Sequence, residues 1–215
     1  MVDRRTVRRS YDELADEYAD ARTTDDQSTE LLNELLHSLP ASATVLDAGC
    51  GGGRPVLARL SESTTAVGLD FSREQLRLAA ENASDASLVQ GDMTALPIGD
   101  SSVDAVVAFW SLIHVPMDEH QRTIDEFVRV LRPGGRLLVC EGNEEWTGRN
   151  PDWLDAGVPM EWAIAGAEAT REQLRAAGFE IVDRWGAAEN LGDDEGDGSE
   201  DADTPWTFFS ARLTA

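Results

Sequence analysis

Apolar residues along this chain recur with two periods, and the switches between them divide it into elements. Leu31, Leu32, Leu35, Leu36 and Leu39 follow helical spacing. The segment from about Tyr11 to His37 therefore reads as helix with polar interruptions, ended by Pro40. Thr44 to Ala48 is a short apolar strand that runs into glycines. Arg54 to Ser61 reads as helix with Pro55 in its first turn. A second strand, Thr65 to Asp70, leads into a helix from about Ser72 to Asn82, with Ser72 as N-cap and Gln75 completing a capping box. Ser87 to Gln90 and the strongly apolar Val103 to Phe109 are further strands. Asp118 to Leu131 is helical and is stopped by Pro133-Gly134-Gly135. Arg136 to Glu141 is strand, and Thr170 to Ala177 is helix with Gly178 as its C-cap. Phe179 to Trp185 and Trp206 to Leu213 end the series as strands. This alternation predicts an α/β fold: a mostly parallel sheet covered by helices on both faces.

Two segments leave the rhythm. Residues 142–168 hold Trp146, Trp153, Met160 and Trp162, and residues 190–203 are dominated by carboxylates. The second reads as a solvated loop between the last two strands.

Composition changes the picture through its sign. The 215 residues carry 41 acidic against 18 basic side chains, a formal net charge of −23, and every basic residue is Arg. Such a charge opposes binding to phosphate backbones and to anionic lipid, so neither a nucleic-acid nor a membrane partner is expected. The composition resembles that of haloarchaeal proteins, which work where salt shortens the Debye length to about 3 Å at 1 M. The two cysteines, Cys50 and Cys140, make no disulfide framework. The polar, Arg-rich first ten residues do not read as a secretory signal, which makes a cytoplasmic location the expectation.

The chemistry concentrates after the first strand. Asp47-Ala48-Gly49-Cys50-Gly51-Gly52-Gly53 joins a strand to a helix, a turn whose backbone can approach a ligand closely. A dinucleotide fingerprint would need a further glycine at position 54 or 56, where Arg54 and Val56 stand. That argues against a nicotinamide-dependent oxidoreductase. The loop instead has acid-x-Gly-x-Gly-x-Gly spacing, and here it resembles the first motif of class I S-adenosylmethionine-dependent methyltransferases.

The resemblance runs from Tyr11 to Leu213. Asp70 ends the second strand 21 positions after Gly49, near the offset of an acid that holds ribose hydroxyls. Gln90-Gly91-Asp92-Met93, Ser102 to Phe109 and Leu131-Arg132-Pro133-Gly134-Gly135 match later motifs in order, and Tyr11 to Ala15 with Tyr18 resemble a cofactor-capping N-terminal helix. The resemblance implies a Rossmann-like, doubly wound, seven-stranded sheet with an antiparallel last strand. It implies one domain over 1–215: a helical cap (1–40), a cofactor core (41–141), a substrate lid (142–168), and a final helix and strand pair (169–215). S-adenosyl-L-methionine is the implied cofactor, held by Tyr11, Tyr18, Asp47, Gly49, Cys50, Gly51, Gly53, Asp70, Phe71, Asp92, Met93 and Phe109. In the family, an acid like Asp92 accepts from the adenine amino group and a side chain like Met93 packs on the ring.

The implied reaction is in-line methyl transfer to a small-molecule acceptor, which needs no metal. A non-catalytic cofactor-binding or partner-binding protein is the alternative. His114 follows the fourth strand, at the edge where ligands sit in open α/β sheets, and is the candidate catalytic base; its other reading is a locally hydrogen-bonded packing histidine. His37 reads as packing or surface, and His120 as exposed. Tyr11 and Tyr18 suit either cofactor contact or packing. The Trp-rich segment suits either a lid over an apolar or cationic molecule or simple packing. Asp193 to Gly198 has the start of a calcium loop, but position twelve is Thr204 rather than Glu. Arg4, Arg5, Arg8 and Arg9 are expected to pair with local carboxylates.

Overall fold

The computed structural model describes residues 2–22, 26–187 and 205–214. The acidic loop 190–203 and the Asp193–Gly198 motif lie outside these residues. The strands are β1 (Thr44–Ala48), β2 (Thr65–Asp70), β3 (Ser87–Gln90), β4 (Val103–Ala108), β5 (Leu131–Gly142), β6 (Trp146–Trp153), β7 (Val158–Ile164), β8 (Phe179–Ala187) and β9 (Trp206–Leu213). Seven of them form one sheet in the order β3-β2-β1-β4-β5-β9-β8, and β6 pairs only with β7. β1 pairs in parallel with β2 and β4, β2 with β3, and β4 with β5, whereas β9 runs antiparallel to both β5 and β8. This is the Rossmann-like sheet with an antiparallel last strand.

Period-two alternation sorts the strand residues to two faces. Val45, Ala105, Val107, Leu138, Cys140 and Phe208 pack with Leu31, Leu32 and Leu35 of α3 (Asp26–Ser38) and with α4 (Val56–Ser61) and α5 (Arg73–Asn82). Leu46, Val106, Ala108, Leu137, Val139 and Phe209 pack on the other face, with Ile124 and Phe127 of α6 (His120–Val130) and Leu174 of α7 (Ala167–Ala176). Both cysteines are buried, and neither is in a disulfide.

Several boundaries differ from the sequence reading, each for a local reason. The first helix starts earlier, at α1 (Arg4–Glu13), because Asp3 caps it by accepting from the Arg5 amide at 3.0 Å. It breaks at Leu14 before α2 (Ala15–Ala21). Pro55 precedes α4 rather than sitting in its first turn. A 3-10 turn over Met117–Glu119 takes the place of the expected start of α6. β5 begins at Leu131, ahead of the Pro-Gly-Gly turn: Leu131 pairs with Val103 and Arg136 with Ala105, so residues 132–135 loop out of the ladder. Gly134, with φ +77°, supplies the conformation this excursion needs.

The Trp-rich insertion is a hairpin. β6 and β7 run antiparallel from Trp146↔Ile164 to Trp153↔Val158. Its inner face does not join the main core. Trp153, Met160 and Ala163 pack with Val7 and Tyr11 of α1, Tyr18 of α2, and the flanking Val2 and Leu14. α1, α2 and the hairpin thus share a third hydrophobic cluster above the carboxyl ends of the strands. The amide of Asp3 also donates to Glu161 Oε2 at 2.7 Å.

Candidate functional site

The sheet order reverses between β1 and β4, and open α/β sheets bind ligands at such a point. A pocket lies there, bounded by the glycine loop, the end of β2 and the turn after β4. Its floor is the glycine loop. Gly49 takes φ +84°, and a Cβ there would sit 2.3 Å from Ser111 Cβ. Ser111 Oγ in turn donates to the Ala48 carbonyl at 2.7 Å, tying the turn after β4 to the end of β1. Trp110, in that same turn, holds φ +48°, rare for a bulky residue.

Asp70 is buried at the end of β2. Its two oxygens accept from the Gly51 amide at 2.9 Å and the Ser72 amide at 2.8 Å. Burial nevertheless pushes its carboxyl up to about 6, against the pull of those amides. Ser72 Oγ accepts from the Gln75 amide at 3.1 Å, as a cap should. Asp12 of α1 adds a second cap, its Oδ1 accepting from Ser72 Oγ at 2.7 Å and the Arg73 amide at 2.9 Å. The Gln75 side chain does not complete the capping box. Its Oε1 stands about 3.5 Å from where a Gly51 Cβ would be, and both of its polar atoms are buried without a partner.

Of the residues singled out from sequence, Tyr11, Tyr18, Gly49, Gly51, Asp70, Phe71, Asp92, Met93, Phe109 and His114 line the cavity. Asp47, Cys50 and Gly53 do not. Gly53, with φ +85°, lets the loop approach α5, where a Cβ would meet the Ala79 Cα at 3.0 Å. Cys50 is buried, and its Sγ lies 3.6 Å from the Gly51 carbonyl. Asp47 lies beneath the loop, its carboxyl pushed up to about 7 by burial and its Oδ2 unpartnered. Asp92 faces the cavity already engaged: Oδ2 accepts from Arg4 Nη1 at 2.8 Å, and Oδ1 from the Thr94 amide at 2.9 Å.

Sequence reading missed Arg4, Arg22, Gln75, Trp110 and Ser111, all of which line the cavity. Arg22 lies over the Trp110 ring, 5.4 Å from its centroid. Its Nε and the Trp110 Nε1 are buried and unpartnered. Of the basic cluster, Arg8 pairs with Asp12 and Arg9 with Glu13 one turn along, whereas Arg4 reaches the distant Asp92 and Glu119 instead of a local carboxylate.

His114 is buried beneath the hairpin. Its Nδ1 lies 3.1 Å from the Glu161 carbonyl and its Nε2 2.9 Å from the Tyr11 hydroxyl. A carbonyl only accepts, so Nδ1 carries the proton and Nε2 accepts from Tyr11. Burial holds the imidazole down at about 4. His120, expected to be exposed, is fully buried. Its Nε2 donates to the Val115 carbonyl at 2.9 Å, and its Nδ1 faces Glu141 Oε2 at 3.9 Å. Burial pushes the Glu141 carboxyl up to about 8.

Among the described residues no cluster of His, Cys, Asp or Glu could hold a metal ion, and no helix is long and apolar enough to cross a membrane.

A methyltransferase-domain family profile matches residues 46–139. The chain is 32% identical over 172 residues to 27-O-demethylrifamycin SV methyltransferase of Amycolatopsis mediterranei, covering 76% of this chain and 57% of that one. It is 26% identical over 179 residues to tRNA (carboxymethyluridine(34)-5-O)-methyltransferase of Arabidopsis thaliana, covering 81% and 43%. The chain thus spans about half the length of these curated relatives. Among solved structures, Burkholderia thailandensis 1,6-didemethyltoxoflavin-N1-methyltransferase with bound 1,6-didemethyltoxoflavin and S-adenosylhomocysteine shares the fold at TM-score 0.69 and 21% identity, over 99% of this chain and 87% of that one. With the sheet order, the acid-and-glycine turn after β1, Asp70 at the end of β2 and these relatives taken together, the chain belongs to the class I S-adenosylmethionine-dependent methyltransferases.

Proposed function

We propose that this chain binds S-adenosylmethionine across the carboxyl ends of β1, β2 and β4 and transfers its methyl group to a small molecule enclosed beneath α1 and the β6–β7 hairpin. The observation that carries this reading is the set of unpartnered polar atoms around the glycine loop. Asp47 Oδ2, Arg22 Nε, Trp110 Nε1 and both polar atoms of Gln75 are buried without partners among the described residues. Buried polar groups are seldom left unpaired. A carboxylate beside Arg22 and Trp110, which both line the cavity, would satisfy their nitrogens, and the methionine moiety carries one.

In this reading Asp70 takes the ribose hydroxyls as a carboxylate acceptor. Gly49 and Gly51 keep side chains out of the approach. Met93 and Phe71 flank the adenine, and Asp92 accepts from its amino group with the lone pairs Arg4 and Thr94 leave free. The bound donor supplies an electrophilic sulfonium methyl. The protein's contribution is to align the acceptor with it and to exclude water.

The shared cluster of Tyr11, Tyr18, Trp153 and Met160 roofs the site and favours an acceptor small enough to be enclosed. The charge of −23 disfavours an RNA acceptor. Calorimetric titration of the protein in molar KCl with S-adenosylhomocysteine, and with NADH as control, tests the cofactor assignment. Saturable binding of the first alone is expected, and its absence from folded protein overturns the reading. Methyl transfer to bulk tRNA but to no small-molecule probe would overturn the acceptor class.

A further inference from the structure

Two geometric facts fix the proton inventory at the roof of the cavity. The Glu161 carbonyl forces the His114 proton onto Nδ1, and the Tyr11 hydroxyl therefore donates its own proton to Nε2 at 2.9 Å. Tyr11 is held edge-on by Tyr18 at 5.1 Å and by Trp153 at 5.5 Å, ring centroid to centroid, so its hydroxyl has little freedom. It lines the cavity together with His114. The imidazole nitrogen with basic character is thus covered by Tyr11, and what an acceptor would meet is the oxygen of a phenol whose proton already points at a base.

We infer that Tyr11 is the group that contacts the methyl acceptor, that the acceptor atom is a hydroxyl oxygen, and that His114 serves as a positioning residue and proton sink acting through Tyr11. This rests on the methyltransferase reading above. The balance is as follows. The acceptor oxygen forms a bond to the methyl carbon as the sulfonium carbon–sulfur bond breaks. The acceptor's proton passes to Tyr11 Oη, and the Tyr11 proton passes to His114 Nε2. The resulting imidazolium keeps its Nδ1–H on the Glu161 carbonyl. It later releases its proton to solvent.

Acid strength selects the acceptor. A hydroxyl oxygen that has received a methyl group while keeping its proton is an oxonium, a far stronger acid than an imidazolium. Even an imidazole held at about 4 takes that proton. Burial and Tyr18 push the Tyr11 hydroxyl up, so Tyr11 passes the proton on and does not ionise. An ammonium has no lone pair to attack with until it loses its proton, and a base this weak does not remove it; a thiol is a weak hydrogen-bond donor and is poorly held by the Tyr11 oxygen. A carboxylate needs no base at all.

The test uses the whole protein, S-adenosylmethionine labelled with carbon-13 at the methyl group, and matched probes: phenol, catechol and benzyl alcohol against benzylamine and benzyl mercaptan. The carbon chemical shift of the transferred methyl reports the atom methylated. Tyr11→Phe removes the relay. His114→Asn keeps a donor near the Nδ1 position for the Glu161 carbonyl but removes Nε2. The expected result is label on oxygen only. Each variant should lose about 100-fold or more in kcat, with KM for the hydroxyl probe changed less than about threefold, and the double variant should be no slower than the slower single one, because the pair acts as a unit. Nitrogen-15 spectra of histidine should place the His114 proton on Nδ1. Label on nitrogen or sulfur, additive losses, a proton on Nε2, or no oxygen-methylated product from any hydroxyl probe overturns the inference. Parallel titration with S-adenosylhomocysteine separates the two levels: if the protein binds it, only this inference fails, and if it does not, the cofactor reading fails as well.

Discussion

Replacing Asp70 with Asn separates charge from shape at the centre of the site. Each Asp70 oxygen accepts from one backbone amide, Gly51 N at 2.9 Å and Ser72 N at 2.8 Å. An Asn amide must turn its NH2 toward one of these donors and presents no charge to the ribose hydroxyls. Losing hydrogen bonds to a charged group costs about 1.5–3 kcal/mol. S-adenosylhomocysteine binding should therefore weaken roughly 10- to 150-fold. pH gives a second, independent magnitude. The carboxyl is pushed up to about 6 by burial, so it takes up a proton as pH falls through that value and the anionic acceptor is lost. If only the ionised form binds, Kd rises about tenfold between pH 8 and pH 5 from Asp70 alone. The assay is calorimetric titration of parent and variant from pH 5 to 8, with thermal denaturation as a check that both are folded. The variant should lack one tenfold step. A variant that binds within twofold of the parent and weakens as steeply below pH 6 would refute the assignment of Asp70.

Four further outcomes follow from the packing and the charge. Gly49→Ala places a Cβ 2.3 Å from Ser111 Cβ at φ +84°; about 2 kcal/mol or more of stability should be lost together with ligand binding, read by denaturant unfolding. Met160→Ala empties a fully buried position in the cluster joining the hairpin to α1 and should cost about 2–5 kcal/mol, with hydrogen exchange rising first in β6 and β7. Glu141 is pushed up to about 8, so the folded state holds a proton that the unfolded chain releases at lower pH. Stability should fall as pH rises from about 4.5 to 8, and Glu141→Gln should flatten that part of the melting curve. With a net charge of −23, the melting temperature should rise from 0.1 to 2 M KCl as repulsion is screened, and an unchanged or falling one would refute the self-repulsion argument.

Local signals made the cofactor half of this protein legible. A short apolar run ending in glycines reads as a strand entering a tight turn, because glycine takes at little cost the left-handed φ found at Gly49, Gly51 and Gly53. An acid at the end of the next strand falls beside that turn because β1 and β2 pair in parallel, Asp47 opposite Gly68. Sequence therefore determined the sheet, its two packed faces and the placement of Asp70, Phe71, Asp92 and Met93. It also suggested roles that the packing redistributed. Gly53 answers to Ala79 across the loop, and Gln75 leaves its cap to face the cavity. Only the tertiary structure decided the roof. Arg4 reaches Asp92 across 88 positions, Tyr11 reaches His114 across 103, and the Glu161 carbonyl that sets the His114 tautomer belongs to a backbone whose side-chain identity is immaterial. Local periodicity carries no record of such pairs. They exist because α1 and the hairpin each have an apolar face too small to be buried alone, and each buries it against the other, above the open ends of the strands.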